Sequence, residues 1–201
     1  MPRLVDHEQR RREITDAVRR VVATRGLEAA TFQSVAAEAG ISVRLVQYYF
    51  GTKKEFLRAT HQAVVVDSGQ RFAHALTELG EGASPRATLR AILLALLPLD
   101  EASRRDTIVL GVFNLAARTG EGMSTDELMG PPKYLVAMIA EQLTRARALD
   151  PTVSMDPALD AELAVAAMGG LTQGLASGYG TPDLAIPLVD RLLDHLFGPG
   201  H

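Results

Sequence analysis

The chain of 201 residues contains no cysteine, so it can form neither a disulfide framework nor a cysteine-based metal or nucleophile site. This absence agrees with a reducing cytoplasm. Long apolar runs are also missing, because the longest stretches, such as AILLALLPL, fall far short of the roughly 20 residues that span a bilayer. The N-terminus, MPRLVDHEQRRRE, lacks the apolar run of a signal peptide. We therefore expect a cytoplasmic protein with no membrane partner.

Signals for β-strands are scarce as well, since the sequence shows no sustained apolar–polar alternation and no Asn-Gly or Asp-Gly hairpin turn. Apolar residues recur at helical spacing instead, between glycine and proline breaks. We predict an all-α fold of about nine helices, with a loop over TGEGMST, residues 119–125. The predicted helices cover approximately residues 8–25, 31–39, 43–50, 53–79, 85–97, 101–118, 133–148, 158–179 and 183–197.

The residue pattern also lacks the usual signs of an enzyme. The five histidines stand in no metal-binding spacing and beside no obvious nucleophile, and no glycine-rich phosphate loop follows a strand. We therefore expect no catalytic residue, no metal and no cofactor.

Charge is unevenly distributed along the chain, although the net charge is only −3. Up to Arg58 there are eleven basic and seven acidic residues, a local charge of +4, and the remainder holds ten basic and seventeen acidic residues, a charge of −7. A basic end on an acidic body is expected where one end of a protein meets phosphate, although a solvated basic helix needs no partner.

The segment TFQSVAAEAGISVRLVQYYF, residues 31–50, has the pattern of a helix-turn-helix. Ala36 is the small residue expected where the two helices pack closely. Gly40 is expected to adopt the positive φ of the turn. Ile41, after the turn, is expected to pack against the core, and Val46 is expected to be the buried aliphatic residue of the second helix. The alternative is a plain three-helix bundle that touches no nucleic acid.

The run from Arg11 to Ala59 resembles the N-terminal domain of TetR-family repressors, most specifically in its closing stretch YYFGTKKEFL. Two later stretches, LLPLDEASRRDTIVLGVFNLAA and GGLTQGLASGYGTPDLAIPLVDRLLDHLF, are similar to the ligand-binding half of the BetI-like subgroup. This second similarity covers the fold and the dimer helices and does not transfer the ligand.

The resemblance implies an N-terminal helix-turn-helix domain over residues 1–54 and a helical effector-binding and dimerisation domain over residues 55–201. It implies a homodimeric transcription regulator, a repressor that a small effector releases from palindromic double-stranded DNA. The mainly apolar candidate residues of the effector domain predict that this effector is largely apolar. The sequence leaves two alternatives open, an activator and a helical adaptor that keeps the fold without operator binding.

The DNA-contacting residues are predicted from helix position and from the resemblance. At the exposed start and middle of the recognition helix lie Val43, Arg44 and Gln47, where arginine can bind guanine and glutamine adenine. The family usually has tyrosine at the position of Gln47. The resemblance adds Gln33 as a base contact, and the expected phosphate contacts are Thr31, Ser42, Tyr48, Tyr49 and Lys53. The alternative for the tyrosine pair is that one ring packs against the first helix.

The last two predicted helices carry small and apolar residues that predict a dimer interface, and the alternative is that they form a core within one chain. The predicted interface residues are Gly170, Gly174, Val189, Leu192, Leu193 and Leu196.

The effector pocket is predicted among the middle helices, with mainly apolar walls. Asn114 stands in the apolar run GVFNLAA as a candidate polar anchor, or as a capped or hydrated asparagine. The candidate lining residues are Phe72, Leu110, Phe113, Asn114, Tyr134, Met138, Met168 and Gln173.

Overall fold

The computed structural model describes residues 2–80, 82–118, 125–152 and 154–198, with the backbone alone for residues 2–6, 118 and 125–132. These residues form helices and contain no strand, which confirms the all-α prediction. The helices are α1 (Pro2–Arg25), α2 (Phe32–Ala39), α3 (Val43–Tyr49), α4 (Lys53–Glu78), α5 (Pro85–Leu96), α6 (Glu101–Arg118), α7 (Thr125–Leu149), α8 (Pro157–Ser177) and α9 (Pro182–Phe197).

Two predicted helix starts differ from the structure. α1 begins at Pro2 rather than near Glu8. α7 begins at Thr125, so the prediction that it follows Pro131 and Pro132 is wrong. Each proline removes its own backbone N–H donor and its ring crowds the carbonyl group four residues earlier, yet α7 continues past both residues. The rest of the predicted loop, residues 119–124, lies outside the described residues.

Contacts divide the chain into two packing units. Unit 1 comprises Met1–Asp67 and Arg105–Leu128, and unit 2 comprises Ser68–Arg104 and Met129–His201. The assignment of DNA binding to 1–54 and of effector binding to 55–201 stays a prediction, since packing does not show what each part binds.

Each unit has its own apolar core. In unit 1, α1, α2, α3, α4 and α6 contribute Ile14, Val18, Val21, Val35, Val46, Phe50, Phe56, Val109 and Phe113. In unit 2, α5, α7, α8 and α9 contribute Leu89, Ile92, Leu93, Ile139, Leu143, Ala164, Met168, Val189 and Leu193. Among the described residues, no helix combines the length and the apolar character needed to cross a membrane.

Candidate nucleic-acid interface

The turn between α2 and α3 has the geometry that its sequence predicts. Gly40 adopts a φ of 66°, which favours glycine, and its N–H group donates to the carbonyl oxygen of Ala37 over 3.3 Å. The N–H group of Ile41 donates to Ala36 O over 3.0 Å, which closes the end of α2. Val46 is fully buried under the turn. These contacts set the angle at which α3 leaves α2.

The exposed face of α3 carries Arg44, Gln47 and Tyr48, at the i, i+3 and i+4 spacing that places side chains on one side of a helix. Tyr48 is 74% exposed. Arg44 and Gln47 are exposed as well, and neither side chain has a hydrogen-bond or ion-pair partner within the described part of the chain. Their donors and acceptors are therefore available to base edges.

The two tyrosines of α3 differ in their surroundings. The ring of Tyr49 is half-buried, with its centroid 4.6 Å from that of His7 on α1 and 5.3 Å from that of Tyr48. Tyr49 is thus the ring that packs against the first helix, one of the two readings that the sequence left open. Val43 is half-buried against the core of unit 1, so its side chain is only partly available to DNA.

Three of the predicted phosphate contacts also have structural roles. Thr31 caps α2, where its Oγ1 atom accepts from the N–H group of Ser34 over 3.1 Å. Ser42 caps α3 in the same way. The Nζ atom of Lys53 is 3.5 Å from the carbonyl oxygen of Glu28, and Gln33 is exposed beside the Thr31 cap. The caps orient these side chains at the exposed helix starts without closing them off from solvent.

One residue of this region was missed by the sequence prediction. The Nη1 atom of Arg11 on α1 donates to the carbonyl oxygen of Tyr49 over 2.7 Å, and its Cζ atom is 4.2 Å from the centroid of the Phe50 ring. Arg11 precedes the buried Ile14 by three residues and therefore lies on the buried stripe of α1. The sequence signal that could have identified Arg11 is its helical spacing, which places an arginine on the same side of α1 as the buried apolar residues.

A charge network connects α1 with α4 and α6 inside unit 1. The side chain of Arg19 is 13% exposed; its Nη2 atom donates to Asp67 over 2.6 Å and its Nη1 atom to Asp106 over 3.5 Å. Burial raises the pKa of Asp16, whose carboxylate lies 3.8 Å from Arg19 Nε. The positive charges of Arg19 and Arg20 act to lower that pKa, and the carboxylates of Asp67 and Asp106 act to raise it.

Most of the predicted dimer residues of α9 lie in the core of unit 2. Val189, Leu193 and Leu196 are buried and Leu192 is half-buried, because that side of α9 packs against α5 and α8 within the same chain. In the single subunit, these side chains therefore form part of an intramolecular core, the alternative that the sequence left open. Of the predicted interface residues on α8, Gly170 is exposed and Gly174 is half-buried near the Tyr179 ring.

The predicted effector residues are spread over both units. Leu110 and Phe113 belong to unit 1, where the Phe113 ring centroid is 5.4 Å from that of the buried His61. In unit 2, Met168 is buried, and Phe72 and Met138 pack against its core. The exposed candidates are Asn114, Tyr134 and Gln173.

An open groove of about 540 Å³ lies between α4 and α5 in unit 2, and it contains none of the predicted effector residues. Alanine and leucine side chains form most of its surface. The lining residues are Ala75, Glu78, Leu79, Ala87, Arg90, Ala91, Leu94 and Ala95.

Comparison with known proteins decides the family. Residues 14–60 match the model for bacterial regulatory proteins of the tetR family. The chain is 32% identical over 145 residues to the HTH-type transcriptional regulator PksA of Bacillus subtilis, a match that covers 70% of this chain and 69% of the relative. The chain belongs to the TetR family. It is therefore a transcriptional regulator and not an enzyme, which confirms both predictions.

Two further comparisons with transcriptional regulators extend this result. The regulator BetI of Paraburkholderia phytofirmans is 37% identical over 103 residues, which cover 51% of this chain and 52% of BetI. The crystal structure of a putative transcriptional regulator from Saccharomonospora viridis in complex with choline has a TM-score of 0.77 at 21% identity, with 94% of this chain and 97% of that one covered. The structural likeness confirms the fold of both the helix-turn-helix part and the C-terminal helical part.

Proposed function

We propose that this TetR-family regulator is a repressor that binds a palindromic operator as a homodimer and leaves it when a small effector binds. The observation that carries the proposal is the exposed face of α3, where Arg44, Gln47 and Tyr48 stand together. Arg44 is suited to donate two hydrogen bonds to guanine, and Gln47 to exchange a donor and an acceptor with adenine. Tyr48, Thr31, Ser42 and Lys53 supply phosphate contacts that hold the register. Gln33 on α2 adds a further base contact. Tyr49 and Val43 contribute chiefly by packing.

A homodimer follows from the short length of the reading helix. With only seven residues, α3 reaches few base pairs, and a second copy about 34 Å away would reach the next major groove. α8 and α9 offer a surface for that copy. Leu159 and Leu163 on α8, and Leu184 and Leu188 on α9, are exposed at the i, i+4 spacing of one helix side.

Two glycines of α8 support the same surface. Gly169 and Gly170 lie inside the helix, where each glycine costs about 1 kcal/mol relative to alanine. Among the described residues outside the neighbouring backbone of α8, no atom lies within 4 Å of a Cβ added to either glycine, so packing against another helix of the described chain does not account for them. A second copy packed closely across α8 would account for both.

The effector is proposed to be small and largely apolar. Phe72, Met138 and Met168 belong to or pack against the apolar core of unit 2, which suits such a ligand. Fatty acids of increasing length test the apolar effector directly. Choline, a small cation found in complex with the Saccharomonospora viridis regulator, is the contrasting compound.

Operator binding tests the central claim. A randomised duplex pool is enriched on the wild-type protein, and the selected duplex is compared with a random duplex across a salt series. We expect Arg44→Ala to weaken binding to the selected duplex by about thirtyfold or more, because the proposed homodimer loses one bidentate base contact of about 1–3 kcal/mol in each half-site. Arg147→Ala, which removes an exposed arginine of α7, should leave this preference intact. A wild-type protein that enriches no sequence would contradict the proposal.

The dimer is tested by sedimentation. Leu163→Glu places a charge on the proposed interface, where the leucine is 58% exposed in the single subunit, and should yield monomers. Leu149→Glu alters a leucine of α7 that is 76% exposed, and it should sediment as the wild type does. If Leu163→Glu remains dimeric, the α8–α9 surface is not the interface.

Effector binding and release from DNA are tested together. A compound that raises the melting temperature of the protein and releases the selected duplex meets both requirements, because a ligand shifts an equilibrium only by its differential affinity. A compound that binds and strengthens DNA binding instead would contradict release as the mechanism.

A further inference from the structure

We propose that Arg11 of α1 is a positioning residue for DNA reading, which holds the C-terminal end of α3 so that Arg44 and Gln47 meet base edges in register. The inference rests on the proposed operator binding by α3. It assigns to Arg11 a role through the protein backbone, whereas a basic residue of the N-terminal helix would otherwise be read as a phosphate contact.

The contacts of Arg11 converge on the last residues of α3. Its Nη1 atom donates to the carbonyl oxygen of Tyr49, the final helical residue, over 2.7 Å. The carbonyl groups of a final helical turn have no partner within the helix, and a cation placed there is favoured by the helix dipole. The same guanidinium lies 4.2 Å from the centroid of the Phe50 ring, which is itself buried in the core of unit 1. Arg11 therefore links a backbone carbonyl of α3 to α1.

Both ends of α3 are then held by neighbouring structure. At the N-terminal end, Ser42 caps the helix and the Gly40 turn joins it to α2. At the C-terminal end, the Phe50 N–H group bonds to Val46 O over 2.9 Å, and Arg11 holds the carbonyl one residue earlier. A helix of under two turns has few hydrogen bonds of its own, so these end contacts contribute strongly to its orientation.

Orientation matters because base reading tolerates little error. At the outer radius of a helix, about 5–6 Å, a rotation of roughly 20° moves a side chain by roughly 2 Å. Productive geometry at a binding site tolerates about 0.5 Å and 10–20°. A small rotation of α3 would therefore weaken the bidentate contacts of Arg44 and Gln47 while leaving attraction to phosphate nearly unchanged.

Tyr48 and Tyr49 extend the effect of Arg11 to the surface. Tyr49 packs on His7 of α1, and Tyr48 meets the Tyr49 ring edge-on at 5.3 Å between centroids. Because Arg11 holds the carbonyl group of Tyr49, it also fixes the backbone from which this aromatic pair extends. The exposed Tyr48 is thereby presented next to Gln47.

The neighbouring Arg12 provides a matched control. It lies on the same helix, carries the same charge and is exposed, and its side chain has no hydrogen-bond or ion-pair partner among the described residues. Arg11→Ala and Arg12→Ala therefore remove equal charge and differ in the contacts to Tyr49 and Phe50. Arg11→Lys keeps the charge, but an ammonium group lacks the planar fork that bonds a carbonyl and lies over a ring at once.

The experiment measures the affinity of each variant for the selected duplex and for a random duplex across a salt series, well below its melting temperature. For Arg11→Ala we expect the preference for the selected duplex to fall about tenfold or more, with random-duplex affinity reduced no further than in Arg12→Ala. Arg11→Lys should keep the wild-type dependence of affinity on salt concentration and still lose part of the preference for the selected duplex. If Arg11→Ala does not fold, Arg11→Lys alone tests the inference. Arg12→Ala should weaken both duplexes by the same factor.

Two results would overturn the inference. If Arg11→Ala weakens both duplexes equally, as Arg12→Ala does, then Arg11 acts by charge or through the fraction of folded protein. If Arg11→Lys retains the full preference, the fork geometry is not required. A wild-type protein that selects no duplex is a different failure, because it contradicts the proposed operator binding itself.

Discussion

The two units place their charged residues differently. Unit 1 buries the carboxyl group of Asp106 and the imidazole of His61, and it directs Arg19 inward toward acidic residues. In the described part of unit 2, the buried polar residues are the neutral Ser103 and Gln142. Two arginine–aspartate pairs in the described part of unit 2 are partly exposed: the side chains of Arg90 and Asp190 each by about two-fifths, and those of Arg86 and Asp194 by 24% and 37%.

The difference bears on what each unit has to specify. Hydrogen bonds and ion pairs are directional, so the buried polar contacts that unit 1 adds to its apolar core favour one arrangement of its helices. Apolar contacts are less directional, and a core made of them accepts substitutions of similar volume. Unit 1 has to hold α3 at a defined angle for base reading. Its directional polar contacts at Gly40, Arg11 and Arg19 fit this requirement.

The largest effect is expected from Arg19→Met. The substitution leaves Asp106, with a side chain 7% exposed, without its arginine in the interior of unit 1. Losing the charge-assisted hydrogen bonds of Arg19 to Asp67 and Asp106 should cost about 3 kcal/mol in free energy of unfolding. Denaturant unfolding measures this loss of free energy, provided that the slope of the unfolding free energy with denaturant concentration is the same in wild type and variant.

The neighbouring Arg20 is the control for Arg19. Arg20 pairs with Glu38 at the surface, where the two side chains are 42% and 32% exposed. Arg20→Met should therefore cost under about 1 kcal/mol, as surface pairs do. Equal losses for the two variants would show that unit 1 does not depend on its buried charge.

An intermediate effect is expected at the turn between α2 and α3. Gly40→Ala places a Cβ at a φ of 66° with no atom within 4 Å, so its cost of about 1–2 kcal/mol comes from the backbone alone. Gly111→Ala, inside α6 and equally free of neighbours, should instead stabilise by about 0.5–1 kcal/mol. Thermal unfolding tests this difference, because the melting temperature should fall in Gly40→Ala and rise in Gly111→Ala. A stabilising Gly40→Ala would mean that the turn does not require a left-handed residue.

The smallest effect is expected from Asp190→Asn in unit 2. The hydrogen bond from Arg90 holds the pKa of Asp190 below its ordinary value of 3.8, aided by the positive charges of Arg90 and Arg86. The ionised carboxylate therefore stabilises the fold above pH 3.8, and this contribution is lost as the pH falls through the lowered pKa. At neutral pH the substitution should cost under about 1 kcal/mol, because the pair is exposed.

Unfolding measured as a function of pH checks this prediction. The stabilities of wild type and Asp190→Asn should converge as the pH falls below the lowered pKa, where both side chains are uncharged. A difference that persists in acid would show that the substitution disturbs packing rather than the ion pair.

The candidate reading site was largely predictable because its signals are local. Helix caps and the Gly40 turn act over three to five residues, and the i, i+3, i+4 spacing of Arg44, Gln47 and Tyr48 identifies a helix side directly. The sequence did not distinguish Tyr48 from Tyr49, because the difference depends on His7, some forty residues away in the chain.

The apolar stripe of α9 shows a second limit of the sequence. Its spacing identified an apolar side but not which neighbour covers it. Leu193 packs inside its own subunit, whereas Leu184 and Leu188 remain exposed on the same helix.

By itself, then, the sequence determined the helical class and the positions of most helix ends, because periodicity, caps and breaks are properties of short segments. The family followed from a different kind of signal, the resemblance of the motifs between Arg11 and Ala59 to other regulators. Only the tertiary structure decided that Arg11 bonds to α3, that Arg19 meets Asp67 and Asp106, and which side of α9 is exposed. These contacts join residues 38 to 87 positions apart, and their partners are set by how the helices pack rather than by local spacing.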